Sequence, residues 1–242
     1  MSPNYQWNQG ADAQSLAEHL AGEIAVVLNQ AISDNGRAVV AFSGGSTPKP
    51  MFQALSQHDI EWSKVVVTLV DERWVDESHE LSNGAFLKAH LIDLIDGDKP
   101  AFCPLYQPAE SVEDSFTVVL DQYCELTHSD VSSPAGFDLV VLGMGGDGHT
   151  ASFFPDAPNI ADLVDPNTSA VLLSCESATT QVARITWSVP MLLSSPNLIL
   201  HITGVGKSEV FQKACEESDA QILPIRSMLF QDKTELQVYY AD

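Results

Sequence analysis

Positive charge is scarce in this sequence. Its 242 residues include 11 Lys and Arg against 33 Asp and Glu, a formal net charge of −22. A surface this acidic repels phosphodiester backbones and anionic lipid, so neither nucleic acid nor a membrane is expected as a partner. Cysteine is sparse too: Cys103, Cys124, Cys175 and Cys215 lie far apart, with no C-x-x-C and no histidines clustered at metal-ligand spacing. Reduced thiols of a cytoplasmic protein are expected, with no metal or other cofactor. Long apolar runs are missing. The longest, such as residues 65–70, are of strand length, far below the roughly 20 residues that cross a bilayer. The opening MSPNYQWNQGADAQ has no basic segment followed by an apolar one, so no signal peptide is expected.

What is present is a regular alternation of apolar strand-like runs and helical spacings. Residues 11–32 place Leu16, Leu20, Ile24, Val27 and Leu28 at intervals of three and four, which predicts an amphipathic helix closed by Asp34-Asn35-Gly36. Residues 37–42 read as the first core strand, and Met51, Phe52 and Leu55 as the inner face of the helix after it. Residues 65–70 predict a buried strand. A helix is expected over 84–95, with Phe86, Leu87, Leu91 and Leu94 in the core, and another over 112–126.

Residues 137–142 predict a strand, residues 155–167 a surface excursion, and residues 171–174 and 184–187 two further strands. A helical turn follows at 189–193, a buried strand at 197–203 and a helix at 208–215. The alternating residues 236–240 read as an edge strand. Without a long linker or a repeat, this pattern argues for one α/β domain over 1–242 with a largely parallel sheet.

Four loops at strand ends carry the polar chemistry. In Ser43-Gly44-Gly45-Ser46-Thr47-Pro48, a strand passes through glycines and hydroxyls into a helix, the arrangement in which backbone N–H groups converge on an anion. It matches neither the P-loop nor the dinucleotide-binding pattern. Asp71-Glu72-Arg73-Trp74 sets three charges directly after an apolar strand. Gly143-Met144-Gly145-Gly146-Asp147-Gly148 delivers His149, with Thr150, Ala151 and Ser152 beginning a helix or tight turn. Gly204-Val205-Gly206-Lys207 puts a lysine at a helix start. Ligands of parallel α/β sheets sit in the crevice at the carboxyl ends of the strands, where all four loops are expected. His201, inside an apolar strand, reads as a satisfied core residue, and Lys49 as a surface charge.

Together, SGGSTP, DERW, GMGGDGHTASFFP and GVGK resemble the 6-phosphogluconolactonase family, and more distantly the glucosamine-6-phosphate deaminases that share its fold. The resemblance runs from Ser43 to Lys207 with the motifs in the family's order. It implies a modified doubly wound sheet with helices on both faces, of the deaminase/ribose-isomerase/CoA-transferase type. It also implies hydrolysis of 6-phospho-D-glucono-1,5-lactone to 6-phospho-D-gluconate, the second step of the oxidative pentose phosphate pathway. The chain departs from the family's pattern at Asp76 (usually proline), at Asp156 (usually glycine) and at Thr179-Thr180-Gln181-Val182-Ala183, where a proline-rich lead is usual. Deaminases of this fold resemble D-G-H-I-A-F-N-E-P, with a carboxylate before the proline; Phe154 stands there in this chain. A deaminase-like isomerase and a sugar-phosphate-binding module without catalysis are the competing readings.

On the lactonase reading, His149 activates water and later protonates the leaving ring oxygen, since one imidazole can do both near neutral pH. Asp147 or Asp71 orients it or serves the loop. Arg73 offers a fork of donors to the carbonyl oxygen, the alternative being an ion pair with Asp71 or Glu72. Ser43, Gly44, Gly45, Ser46 and Thr47 cradle the phosphate with Lys207, and Arg184 is a second cation for the anion, or else a structural salt bridge. The expected partner is a small phosphorylated sugar lactone. The protein is expected to be a monomer or weak homodimer.

Overall fold

The chain begins with a strand that periodicity did not announce, β1 (Tyr5–Gln9), followed by α1 (Ala13–Asn35). The computed structural model describes residues 2–180, 182–217 and 219–242. Asp12 caps α1 by accepting from the Ser15 N–H at 2.8 Å, and Gly36 closes it at φ 77° with its N–H on the Ile32 carbonyl. This helix therefore runs through Asp34 and Asn35, beyond the expected end. Leu16, Leu20, Ile24 and Leu28, four residues apart, form its buried stripe. Each such side chain contributes about 2 kcal/mol by leaving water.

Next come β2 (Ala38–Phe42), α2 (Lys49–Leu55), β3 (Val65–Leu69) and β4 (Asp71–Arg73). Helix α3 (Asn83–His90) stops short of the expected range: residues 92–94 form a separate 3-10 turn, and Leu94 is exposed rather than in the core. Then follow β5 (Ala101–Cys103), α4 (Val112–Thr127), β6 (Leu139–Leu142), the short α5 (Ile160–Leu163), β7 (Leu172–Cys175) and β8 (Arg184–Trp187). The last elements are the short α6 (Val189–Leu192), β9 (Leu198–Thr203), α7 (Val205–Glu216), the short α8 (Arg226–Leu229) and β10 (Leu236–Ala241). Residues 155–167 are more than a surface excursion, because Ala157, Ile160, Leu163 and Val164 are buried.

Seven strands form one parallel sheet in the order β1-β10-β9-β6-β2-β3-β5. Every residue of β2, β3 and β6 is buried, and all are apolar except Thr68, whose hydroxyl donates to the Cys103 carbonyl. Such continuous runs are what strands covered on both faces require. Moving from β1 to β2, β3 and β5 runs one way across the sheet, and from β5 back to β6, β9 and β10 the other. Right-handed crossovers then put α1, α2 and α3 on one face and α4 and α7 on the opposite face. The packing of α1 against α2 agrees.

Strand β10 is not at the edge. It pairs with β9 on one side and β1 on the other, so β1 is the edge strand. A second sheet of three antiparallel strands, β4-β8-β7, was not expected from the sequence. The chain passes into it from β3 through Val70 alone, and Asp71 to Arg73 are strand residues paired with Thr186 to Arg184. Among the described residues no helix is long and apolar enough to cross a membrane.

Candidate active site

Strands β2 and β6 lie side by side, but the chain leaves β2 toward β3 and β6 toward β9, in opposite directions. Their exit loops part at this point, which is where ligand crevices open in doubly wound sheets. The cleft here measures about 530 Å³, within the range of small-ligand sites. Every site residue expected from the sequence lines it: the loop Ser43 to Thr47, Asp71, Arg73, Asp147, His149, Arg184 and Lys207.

The turn after β6 is built to present His149. The Gly145 N–H donates to the His149 carbonyl (2.9 Å), the Gly148 N–H to the Gly145 carbonyl (3.1 Å), and the Thr150 hydroxyl to the Gly143 carbonyl (2.8 Å). After His149 the chain makes a tight turn, not a helix, with Ala151 at φ 49° and the Phe153 N–H on the Thr150 carbonyl. His149 Nδ1 lies 2.6 Å from Asp147 Oδ1. Burial alone would raise the Asp147 carboxyl, but the hydrogen bond and charge of His149 outweigh it and hold it below the usual range. An ionised carboxylate only accepts, so the bond to Asp147 selects the neutral tautomer with the proton on Nδ1 and the lone pair on Nε2.

Phe154, 3% exposed, lies under both His149 and Arg184. The imidazole centroid is 4.2 Å from that of the Phe154 ring, with 31° between the planes, and the Arg184 Cζ is 4.8 Å from the same ring centre. Arg184 reaches Asp71 Oδ2 at 3.4 Å, and the buried Ser152 hydroxyl donates to that oxygen at 2.5 Å. Asp71 thus anchors Arg184 and Ser152 and makes no hydrogen bond to His149. Burial works against the charge of Arg184, and nearby Arg73 adds to this, while Asp71 opposes both. The Arg184 Nε is buried with no partner among the described residues.

Arg73 is not paired with Asp71 or Glu72. Its Nη1 donates to the Leu81 carbonyl at 2.6 Å, and its Nε is buried without a partner among the described residues. Glu72 instead caps α3, accepting from the N–H groups of Arg73 (2.7 Å), Asn83 (2.8 Å) and Gly84 (2.7 Å) and from the Ser82 hydroxyl (3.2 Å). Burial raises its carboxyl above the ordinary range despite these donors.

Asn83, the first residue of α3, is a buried wall of the cleft that the sequence analysis did not single out. It donates to the Asp71 carbonyl at 3.0 Å and lies so close to Gly44 that a Cβ there would sit 2.1 Å from Asn83 Oδ1. Only glycine fits at position 44. The Ser43 hydroxyl accepts from the Gly143 N–H at 3.1 Å, which ties the two exit loops together.

Lys207 sits in the first turn of α7, and burial lowers the pKa of its ammonium. Next to it on β9, His201 also lines the cleft. Its surroundings correct the expectation of a satisfied core residue: among the described residues neither ring nitrogen has a partner, and burial, with the charge of Lys207 added, pushes it down to about 4. Thr179 and Thr180 complete the rim. Among the described residues no three His, Cys, Asp or Glu side chains gather as a metal ion would require.

Residues 11–238 match the family model described as glucosamine-6-phosphate isomerases/6-phosphogluconolactonase. The chain belongs to the glucosamine-6-phosphate isomerase/6-phosphogluconolactonase family. Among its relatives, the 6-phosphogluconolactonase of Rhizobium meliloti (strain 1021) is 40% identical over 228 residues, 94% of each chain. That of Mesorhizobium japonicum is 39% identical over 239 residues, covering 98% of this chain and 96% of the relative. A crystal structure of a 6-phosphogluconolactonase from Shewanella baltica OS155 superposes with a TM-score of 0.90 at 33% identity, over 98% of both chains.

Two of this chain's departures from the family's pattern turn out to be partners. Asp156 accepts from the Ser177 hydroxyl (2.7 Å) and from the N–H (2.9 Å) and hydroxyl (2.6 Å) of Thr179, so it fastens the segment that forms the rim of the cleft. Gln181 of the same departure lies outside the described residues. Asp76, the third, accepts from the N–H and hydroxyl of Ser78, a local turn in the loop after β4. At the position where the likeness to deaminases leads one to expect a carboxylate, the cleft presents the ring of Phe154.

Proposed function

We propose that the cleft hydrolyses 6-phospho-D-glucono-1,5-lactone to 6-phospho-D-gluconate, a step of the oxidative pentose phosphate pathway, with His149 as the acid–base group. The observation that carries this reading is the His149–Asp147 pair at 2.6 Å in a cleft that also holds two guanidiniums and an ammonium. Nε2 of His149 takes a proton from water as the water oxygen bonds to the lactone carbonyl carbon. The carbonyl π electrons move onto oxygen, where Arg73 meets the negative charge. When the tetrahedral centre collapses, the bond to the ring oxygen breaks and His149 returns its proton to that oxygen. One water is consumed, and the new carboxylic acid ionises.

Ser152 is not the nucleophile on this reading, because its hydroxyl is buried on Asp71. Lys207 and the loop Ser43 to Thr47 hold the phosphate, and Arg184 binds a further substrate oxygen. Attraction between these cations and a phosphate is strong where water is excluded, so the local geometry outweighs the net charge of −22. The apolar ring at position 154 argues against amino-sugar deamination. The whole chain acts as one domain, in the cytoplasm, as a monomer or weak homodimer.

The test offers freshly generated lactone to the pure protein and follows acid release above the spontaneous rate, with ammonia release from glucosamine-6-phosphate measured in parallel. Excess acid and no ammonia are expected; ammonia without excess acid would reverse the assignment. Loss of turnover in His149→Ala with retained binding of 6-phosphogluconate would place the chemistry on the imidazole.

A further inference from the structure

A reacting imidazole has to be fixed in two respects, along an edge and in the plane of its ring. Asp147 fixes the edge of His149 through Nδ1. Gly145 backs the same edge, but neither it nor the bond fixes the plane of the ring, and a swing would carry Nε2 away from the substrate. The plane is set by Phe154, whose buried ring lies 4.2 Å from the imidazole at 31°. We infer that Phe154 is a positioning residue for the hydrolytic step: its ring face orients His149 and favours the imidazolium that forms when His149 takes the proton. This inference rests on the hydrolase reading above.

The physical reason is the charge distribution of the ring. An aromatic face is electrically negative and attracts a cation more strongly than a neutral heterocycle. The contact therefore tightens as the proton arrives at His149, which is the condition for an interaction to lower a barrier and not merely to bind. Arg184 already lies 4.8 Å from the centre of the same ring, and its positive charge would oppose a second cation. Asp71, at 3.4 Å from Arg184, offsets that charge, as Asp147 does for His149. The ring thus keeps two cations at a fixed separation in a cleft where each has its own carboxylate. A leucine would fill much of the same volume and keep the apolar contact, but it has no face.

The experiment compares Phe154→Leu and Phe154→Tyr with the wild type in steady-state lactone hydrolysis. Phe154→Leu is expected to lower kcat by roughly tenfold, as the loss of a partly desolvated cation–π contact implies, with KM within twofold. Phe154→Tyr, which keeps the ring face, is expected to restore kcat to within threefold of wild type. A kcat for Phe154→Leu within twofold of wild type, or a loss carried by KM alone, would overturn the inference. The second readout needs no turnover: stacking on Phe154 shifts the His149 ring proton resonances upfield, assigned by their absence in His149→Gln. They are expected to move downfield in Phe154→Leu and stay in Phe154→Tyr; unchanged shifts in both would remove the stacking. A wild type without excess acid release would overturn the hydrolase reading, while the resonances still decide whether Phe154 orients His149.

Discussion

The His149 imidazole fills the space that a side chain at Gly145 would need. A Cβ at position 145 would stand 2.3 Å from both Cε1 and Nδ1 of the imidazole, and 2.6 Å from Asp147 Oδ1. All three contacts are far inside van der Waals distance, and the groups that can yield are the side chains of the acid–base pair. Gly145→Ala is therefore expected to fold and to push His149 off its position. A displacement near 1 Å costs on the order of a hundredfold in rate. The measurement is kcat beside a thermal melt. A variant that keeps full kcat would show that the pair tolerates the shift and that its geometry is not what the turn preserves.

Asp71 is expected to matter for stability as much as for turnover. It is 6% exposed, receives the Ser152 hydroxyl and faces Arg184, whose Nε already lacks a partner among the described residues. Removing one member of a buried pair leaves the other uncompensated, at a cost of roughly 3 kcal/mol or more. Asp71→Ala should lower stability by about that amount in denaturant titrations, and Asp71→Asn, which can still meet Ser152, by less. Equal stability of Asp71→Ala and wild type would mean that Arg184 finds its charge balance elsewhere.

These two relationships also mark how far the sequence could be read. The glycine-rich exits of β2, β6 and β9 were visible as loops because continuous apolar runs such as Val65 to Val70 define buried parallel strands and leave their ends conspicuous. Strand β1 gave no such signal. Tyr5 to Gln9 alternate weakly, and they become a strand only through pairing with β10, at the other end of the chain. Since β1 takes the edge, β10 becomes internal, which local alternation cannot reveal. The second sheet was hidden by the absence of any turn signal between Leu69 and Asp71. At the site, residue types pointed to His149, Arg73, Arg184 and Lys207, but partner choice is a property of the packed state. Arg73 turned to Leu81, Asp71 took Arg184, and His201 was left without a partner among the described residues.

His201 should make stability fall in mild acid. In the unfolded chain its imidazole titrates near 6.5, whereas the folded protein holds it down to about 4. Between those values the unfolded state binds a proton that the folded state refuses, so stability is lost as pH drops from 6.5 toward 4 and is fully present above 6.5. The loss attributable to this group is about 2 kcal/mol at pH 5. His201→Leu removes both unpaired nitrogens and should abolish that component, and at pH 7.5 it should be as stable as wild type or more so by about 1 kcal/mol. Urea titrations of both proteins at pH 7.5 and pH 5 read the difference; parallel losses in the two would assign the acid sensitivity to other groups.

Lys207 is the ammonium in the cleft, and its place in the first turn of α7 lets it act together with the helix N-terminus. Burial lowers its pKa, which means that the folded protein holds this charge at a desolvation cost. An anion that neutralises it relieves that cost, and a phosphate does so in the ground state and the transition state alike. Binding of that kind changes KM and leaves kcat nearly untouched. Lys207→Ala is therefore expected to raise KM for the lactone by roughly ten- to a hundredfold, the range for one charge-assisted contact of about 1.5–3 kcal/mol, with kcat within threefold. Lys207→Arg should recover part of the affinity, and added salt should weaken wild-type binding more than that of Lys207→Ala. If KM stays unchanged in Lys207→Ala, the phosphate is held by the loop Ser43 to Thr47 and the arginines, and Lys207 has no part in it.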